Sequence, residues 1–292
     1  MLIDGKAIAA QIQEELKLKI SHIKARKPCL AVIIVGNNPA SKIYVDRKTK
    51  ACAEVGILSI RQELPASTSE QTLIQSIKQL NNNADVDGIL IQLPLPAHIN
   101  PLKITQIIDP AKDVDGLHPS NIGKLMSGDQ SAFIPCTPLG VKELLERSEI
   151  DVASKHVLVI GRSNLVGKPM AAILMQSAAG GNATVTIAHS RTNNLKELSL
   201  MADILIVAIG QAKKITADMV KKGSIIIDVG INKIEDPTRK SGYQLVGDVD
   251  FENVKEKCSL ITPVPGGVGP MTIAMLLSNT LKSYLQRNTD AC

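Results

Sequence analysis

Tryptophan is absent from this chain of 292 residues, and aromatics together make up only 2% of it. That poverty argues against stacking platforms for single-stranded nucleic acid, and no nucleic-acid partner is expected. No apolar run approaches the roughly 20 residues needed to span a bilayer. The opening Met1-Leu2-Ile3-Asp4-Gly5-Lys6 lacks the order of a signal peptide, so the expected address is the cytoplasm, with no membrane partner. Cys29, Cys52, Cys136, Cys258 and Cys292 form no C-x-x-C pair and are too scattered for a zinc ribbon or a disulfide framework. They read as reduced, mostly structural thiols. His22, His98, His118, His156 and His189 show no ligand spacing, so no metal is expected. There is no tandem repeat, no low-complexity tract and no long block of one charge. The net charge of +5 suits an anionic small molecule at least as well as nucleic acid.

What is present is an ordinary globular composition, 44% hydrophobic and 21% charged. The length favours two α/β domains sharing a cleft over one large core. Cys29 to Val35, Ile57 to Glu63 and Gly88 to Leu93 read as strands separated by segments of helical spacing. An opening amphipathic helix carries Ile8, Ile12, Leu16, Ile20 and Ile23, with Asp4 as its cap. The alternation resumes with strands at Val157 to Ile160, Ala183 to Ala188, Ile204 to Ile209, Ile225 to Val229 and Ser259 to Thr262. Near-continuous Val/Ile/Leu runs of this length suit parallel strands buried on both faces, and such sheets bind ligands at their carboxyl ends. The join lies near Pro135-Cys136-Thr137-Pro138. Expected domains are therefore 1–138, catalytic, and 139–270, nucleotide-binding, with a terminal helix over 271–292 packing back on the first.

Gly161-Arg162-Ser163-Asn164-Leu165-Val166-Gly167 follows a buried strand and precedes a helical run. Glycines permit a tight turn and close backbone approach, and free N–H groups at a helix start favour phosphate. A plain tight turn would also explain the pattern, which is not the full G-x-G-x-x-G. About 20 residues further on, where a dinucleotide fold holds an acidic residue for NAD or a basic one for NADP, stands His189-Ser190-Arg191. Arg162 and Arg191 then flank one phosphate, with Ser163 and Ser190 as donors, and the reading is a Rossmann-type domain that prefers NADP. Taken singly, each arginine is equally a solvated surface charge.

Tyr44 and Lys48 fall at i and i+4 on one helical face, with Ser41 at i−3. A surface helix with a basic stripe would look the same. Gln92 ends a buried strand and is followed by Pro-Leu-Pro, which aims an amide at the expected cleft. Asp115, in Lys112-Asp113-Val114-Asp115-Gly116, places a carboxylate at a turn, although Asp-Gly is also a common turn pair. The segment Thr262-Pro263-Val264-Pro265-Gly266-Gly267-Val268-Gly269-Pro270-Met271-Thr272 is rigid and glycine-rich in the manner of a ligand-lining loop.

Together, Tyr44-x-x-x-Lys48, Gln92-Leu93-Pro94-Leu95-Pro96, Lys112 to Gly116, Gly161-Arg162-Ser163 and Pro263 to Thr272 closely resemble the bifunctional methylenetetrahydrofolate dehydrogenase/cyclohydrolase family, the bacterial FolD type. The resemblance covers nearly the whole chain. It implies NADP-dependent oxidation of 5,10-methylenetetrahydrofolate, then hydrolysis of the methenyl product to 10-formyltetrahydrofolate. It makes Lys48 the central catalytic group, with Gln92 bonding it, Tyr44 packing on the folate and Asp115 binding the pterin. It also implies substrate contacts from Ser41, Leu93, Pro265, Gly266 and Gly267, cofactor contacts from Ile231 and Thr272, and a homodimer built through the nucleotide domain. The competing readings are an NADP-dependent dehydrogenase of another small substrate, of the shikimate type, and a non-catalytic nucleotide-binding protein.

Overall fold

A computed structural model describes residues 1–239 and 242–288, Ala40 by its backbone alone, so that Cys292 and the end of the expected terminal helix lie outside the described residues. The chain forms two compact units: Met1–Ala9 with Thr137–Thr272, and Ala10–Cys136 with the chain from Ile273 onward. The first nine residues thus differ from expectation, which placed them with the catalytic domain. The reason is backbone pairing. Ile3 N–H donates to the Ile261 carbonyl at 2.9 Å and Ile261 N–H to that of Met1 at 3.2 Å, which lays the N-terminus parallel to the strand at Leu260–Ile261.

Helix α1 (Gly5–Ser21) starts at Asp4, whose Oδ1 accepts the Ala7 N–H at 3.0 Å; its residues to Ala9 fall in the nucleotide unit, and from Ala10 in the unit that holds Lys48 it buries Ile12, Leu16 and Ile20 at i, i+4 spacing. There follow β1 (Cys29–Val35), α2 (Pro39–Val55), β2 (Leu58–Leu64), α3 (Glu70–Asn82), β3 (Gly88–Ile91), α4 (Pro101–Thr105) and α5 (Pro119–Met126); α6 (Cys136–Arg147) belongs to the nucleotide unit from Thr137 onward. The sheet is parallel in the order β2-β1-β3. Central β1 is buried along its whole length, whereas edge strand β2 alternates between exposed and half-buried. The chain leaves β1 for β2 on one side and returns to β3 on the other. That reversal opens a crevice at the carboxyl ends of β1 and β3.

In the other unit come β4 (His156–Ile160), α7 (Gly167–Leu174), β5 (Thr184–Ala188), α8 (Leu195–Met201), β6 (Ile204–Val207), β7 (Ile225–Asp228), β8 (Asn232–Glu235), β9 (Tyr243–Val246), α9 (Phe251–Val254), β10 (Leu260–Ile261) and α10 (Val268–Arg287). The order β10-β7-β6-β4-β5 is parallel throughout, with the reversal at β4. Its crevice therefore opens at Gly161. The antiparallel hairpin β8–β9 was not anticipated from sequence: Asn232-Lys-Ile-Glu is a polar, half-exposed strand with no apolar run to mark it.

From Ile273 onward, α10 is tied to the Lys48 unit by polar side chains. Ser283 Oγ donates to the carbonyls of Asp87 and Ala111, and Arg287 reaches the Val86 carbonyl and the Asp87 carboxylate. Asp87 is fully buried and bound twice by Arg26, at 2.7 and 2.8 Å, while also accepting the Cys29 N–H that begins β1. Cys29, Cys52, Cys136 and Cys258 are buried and free. Asp87→Ala strands two guanidinium groups and a strand-starting N–H; the expected loss is about 3–5 kcal/mol. It reads as a lower urea midpoint with an unchanged slope.

Candidate active site

Helix α2 buries Val45 and Cys52 completely, and Lys48 lies on the same stripe, three residues from one and four from the other. The lysine is half-buried because its neighbours along the helix must be buried. Ser41, at the start of this stripe, is buried as well, and Tyr44 keeps 41% of its surface exposed one turn before Lys48. Lys48 Nζ donates to Gln92 Oε1 at 3.0 Å. The Gln92 N–H continues the β1–β3 ladder to Ile33, and its Nε2 donates to the Leu93 carbonyl at 2.7 Å. With the amide nitrogen so committed, the oxygen faces the lysine. A flipped amide would set NH2 against amine.

Asp115 sits in the same crevice without closing to an ion pair with Lys48 among the described residues. Burial pushes the lysine's pKa down, partly opposed by the Asp115 charge, and burial pushes the Asp115 carboxyl up, partly opposed by Lys48. Each group keeps the other nearer its charged form. The segment that carries Asp115 is held residue by residue. Buried Lys112 donates to the carbonyls of Leu80, Asn81 and Asn83 at the end of α3, and burial lowers its pKa to about 8. Asp113 accepts the N–H groups of Leu117 and His118 and the amide of Asn121. The Val114 carbonyl accepts Asn279 Nδ2 at 2.8 Å and Cys136 Sγ at 3.4 Å.

Two residues of this site escaped the sequence reading. Cys136, taken there as a structural thiol, is buried near the Asp115 carboxylate; burial, with that charge close by, raises its pKa well above the ordinary thiol value, so it stays a neutral thiol, with its S–H on the Val114 carbonyl. Asn279 bridges the carbonyls of Val114 and Ile134, one on each side of the Asp115–Cys136 pair. Only the proline-flanked setting of Cys136 marks it in the sequence; nothing marks Asn279. An apolar recess lined by Leu93, Leu95, Ile104, Thr105 and Ile108 adjoins Asp115.

At the other crevice Gly161 has φ +132°, and a Cβ there would lie 2.3 Å from the Ala208 oxygen. A Cβ on Gly167, the first residue of α7, would lie 2.1 Å from the Gly161 oxygen. The loop is thus closed as tightly as backbone allows, and among the described residues no protein acceptor takes the N–H groups of Arg162 to Leu165. Free N–H groups at a helix start are the geometry that suits a phosphate. Because Ile160 pairs with Ala188, Arg162-Ser163 and Ser190-Arg191 leave neighbouring strand ends. Both arginines are exposed and without an ion pair among the described residues, which fits a further phosphate on the nucleotide.

The remaining residues singled out from sequence lie in this nucleotide unit. Pro265, Gly266 and Gly267 form the turn before α10, and Lys6 N–H donates to the Gly266 carbonyl at 3.0 Å. Ile231 is 49% exposed beyond β7, and Thr272 Oγ1 stands 3.5 Å from Thr137 Oγ1.

A tight glycine turn at the reversal of a parallel sheet, in a chain that also sets a half-buried lysine against an amide and near a carboxylate, defines a two-domain α/β enzyme of the pyridine-nucleotide class. The catalytic-domain profile of tetrahydrofolate dehydrogenase/cyclohydrolase matches residues 3–115, and the NAD(P)-binding-domain profile matches residues 135–288. The chain belongs to the tetrahydrofolate dehydrogenase/cyclohydrolase family. It is 64% identical to the bifunctional protein FolD of Protochlamydia amoebophila over 97% of each chain. Among solved structures it resembles the bifunctional FolD methylenetetrahydrofolate dehydrogenase/cyclohydrolase of Campylobacter jejuni, with 50% identity, a TM-score of 0.93, and 98% and 99% of the two chains covered. It also resembles the Trypanosoma brucei methylenetetrahydrofolate dehydrogenase-cyclohydrolase complexed with NADP and an inhibitor, with 38% identity, a TM-score of 0.91, and coverage of 98% and 97%.

Gly161→Ala forces a side chain into both the positive φ and the Ala208 contact. The expected cost is about 1–3 kcal/mol, read as a lower urea midpoint.

Proposed function

We propose that the chain is a bifunctional one-carbon folate enzyme: it oxidises 5,10-methylenetetrahydrofolate to 5,10-methenyltetrahydrofolate with NADP, then hydrolyses the methenyl product to 10-formyltetrahydrofolate. The observation that carries this reading is the Lys48–Gln92 hydrogen bond of 3.0 Å with Asp115 beside it. A dehydrogenase of another small substrate would also use a lysine, but it gives no reason for Gln92-Leu93-Pro94-Leu95-Pro96 at the end of β3.

NADP, when bound, supplies the hydride acceptor. The oxidation leaves a positive charge spread over the two folate nitrogens, so it depends more on placing the substrate than on a strong base. Tyr44, exposed one turn from Lys48, offers a ring face to the folate. Ser41 and Leu93 border it, and Asp115 orients the pterin by charge-assisted hydrogen bonds; Pro265, Gly266 and Gly267 are the further substrate residues that the family resemblance implies. Hydrolysis asks for more. As water attacks the methenyl carbon, uncharged Lys48 takes a proton from it; the ammonium then returns a proton to the folate nitrogen as the carbon–nitrogen bond breaks, and one proton is released overall. Gln92 Oε1 accepts from the amine in both states, so the lone pair stays aimed while the charge changes. Cofactor contacts fall to Gly161, Arg162, Ser163, Ser190, Arg191, Ile231 and Thr272.

The reading extends to a cytoplasmic homodimer that supplies one-carbon units for purine, methionine and histidine synthesis and has no nucleic-acid partner. It is supported by family membership and by the absence, among the described residues, of any helix long and apolar enough to cross a membrane.

The test is an anaerobic assay with 5,10-methylenetetrahydrofolate and either NADP or NAD, following reduced nicotinamide and methenyl product separately. Nicotinamide reduction with NADP and accelerated loss of the methenyl signal are expected; no reduction with either cofactor overturns the dehydrogenase. Lys48→Met is expected to lower hydrolysis by about 10²- to 10⁴-fold. In the unaltered protein hydrolysis should rise with pH, since the amine must be uncharged, along a limb below the range of an ordinary lysine. Asp115→Asn removes the charge that raises the Lys48 pKa, so the limb of its residual activity moves to lower pH. Replacing Arg162 and Arg191 together with alanine should weaken the preference for NADP over NAD by about 10- to 100-fold, as losing charged hydrogen bonds does. KM values for both cofactors check it.

A further inference from the structure

The nucleotide unit contains two buried carboxylates that no step above uses. Asp228 ends β7, and Asp248, fully buried, follows β9. Neither has a Lys, Arg or His within salt-bridge distance among the described residues. A carboxylate taken out of water without a cation is costly, and here backbone N–H groups supply the compensation. Asp228 accepts from Gly230, Asp248 and Val249, each at 2.9 Å, and burial still pushes its carboxyl up to about 6.

Asp248 is placed differently. Its Oδ2 accepts the N–H groups of Ile209 and Gly210 at 2.7 and 2.9 Å, and its Oδ1 accepts that of Gln211 at 2.8 Å and the Asn232 amide at 2.9 Å. One side chain thus grips two turns, residues 209–211 beyond β6 and residues 230–232 beyond β7. A Cβ on Gly230 would lie 2.3 Å from Asp248 Oδ1, so the second turn closes directly onto the carboxylate. Ile231, between Gly230 and Asn232, is left pointing out with 49% of its surface exposed.

Both turns are at carboxyl ends on the β6–β7 side of β4, while Arg162 and Arg191 are at the β4–β5 side. A dinucleotide whose adenosine 2′-phosphate meets the arginines, and whose pyrophosphate lies in the Gly161 cradle, has its second nucleoside left to cross β6 and β7. We infer that Asp248 is a positioning residue for the nicotinamide half of the cofactor, holding the turns 209–211 and 230–232 as the platform on which that half rests. This rests on the NADP reading above. Asp248 touches no cofactor itself; it sets the shape of the backbone that does.

Asp248→Asn keeps the size but replaces one acceptor oxygen with a donor facing N–H groups. Direct titration should show NADP affinity falling by about 10- to 100-fold, the range for losing hydrogen bonds to a charged group. Affinity for adenosine 2′,5′-bisphosphate, which lacks the nicotinamide half, should stay within twofold, about the noise of such a comparison. The KM for NADP should rise, while hydrolysis of preformed 5,10-methenyltetrahydrofolate, assayed without cofactor, is unchanged. Unaltered NADP affinity in a folded variant overturns the inference, as does a parallel loss of bisphosphate affinity. If Asp248→Asn does not fold, Asn232→Ala, which deletes one of the four donors, should weaken NADP selectively in the same way; equal affinity there also overturns it. Should the unaltered protein bind NADP yet fail to oxidise the methylene substrate, the functional reading falls while these titrations still decide the role of Asp248.

Discussion

A parallel strand buried on both faces offers its polar backbone to a ligand only at its end, and only where the chain reverses direction across the sheet does a crevice open there. This constraint acts twice in the protein. The three-stranded sheet reverses at β1 and the five-stranded sheet at β4. Lys48 enters from the helix that follows β1, and Gln92 stands where β3 stops. The tight Gly161 turn begins directly after β4, and Ser190 and Arg191 come just after its neighbour β5. Topology therefore locates both sets of candidate groups before any motif is considered.

Holding loops at these strand ends requires polar groups in places that exclude water, and the protein meets that requirement mainly with single charged side chains spread over several backbone groups. Lys112 serves three carbonyls at the end of α3, and Asp113 serves two N–H groups and an amide. Asp248 and Asp228 do the same in the other unit. Such groups are spent structurally, with their hydrogen-bonding capacity filled. Lys48 contrasts with them: among the described residues it has one protein acceptor, Gln92, and so keeps the freedom to exchange a proton. Preorganisation and reactivity are divided between residues of the same chemical type.

How much of this is visible in the sequence depends on how local the cause is. Strand β1 is visible because seven consecutive buried residues must all be apolar, and α1 because its buried side recurs every fourth residue. Lys48, Gln92 and the Gly161 turn carry local patterns of spacing and punctuation. The hairpin β8–β9 does not: β8 is polar and half-exposed, and β9 is only four residues long. Cys136 is an unremarkable thiol until the fold sets it beside Asp115, and Asn279 reaches carbonyls 145 and 165 residues earlier in the chain. Asp248 binds N–H groups 37 to 39 residues away that any sequence would supply. Backbone partners leave no sequence signature.

The placement of residues 1–9 bears on how the protein is made. Met1 N donates to the Ser259 carbonyl, 258 residues later, and Ile3 to that of Ile261. The unit that binds nucleotide thus waits for β10 before its N-terminal segment can dock. The Lys48 unit, almost all of whose residues are translated early, waits for α10 to bring Asn279, Ser283 and Arg287. The nucleotide unit has all its residues by Thr272, while the Lys48 unit still lacks α10 from Ile273 onward. Vectorial folding is therefore reordered: the unit whose residues emerge mostly first is the one completed last.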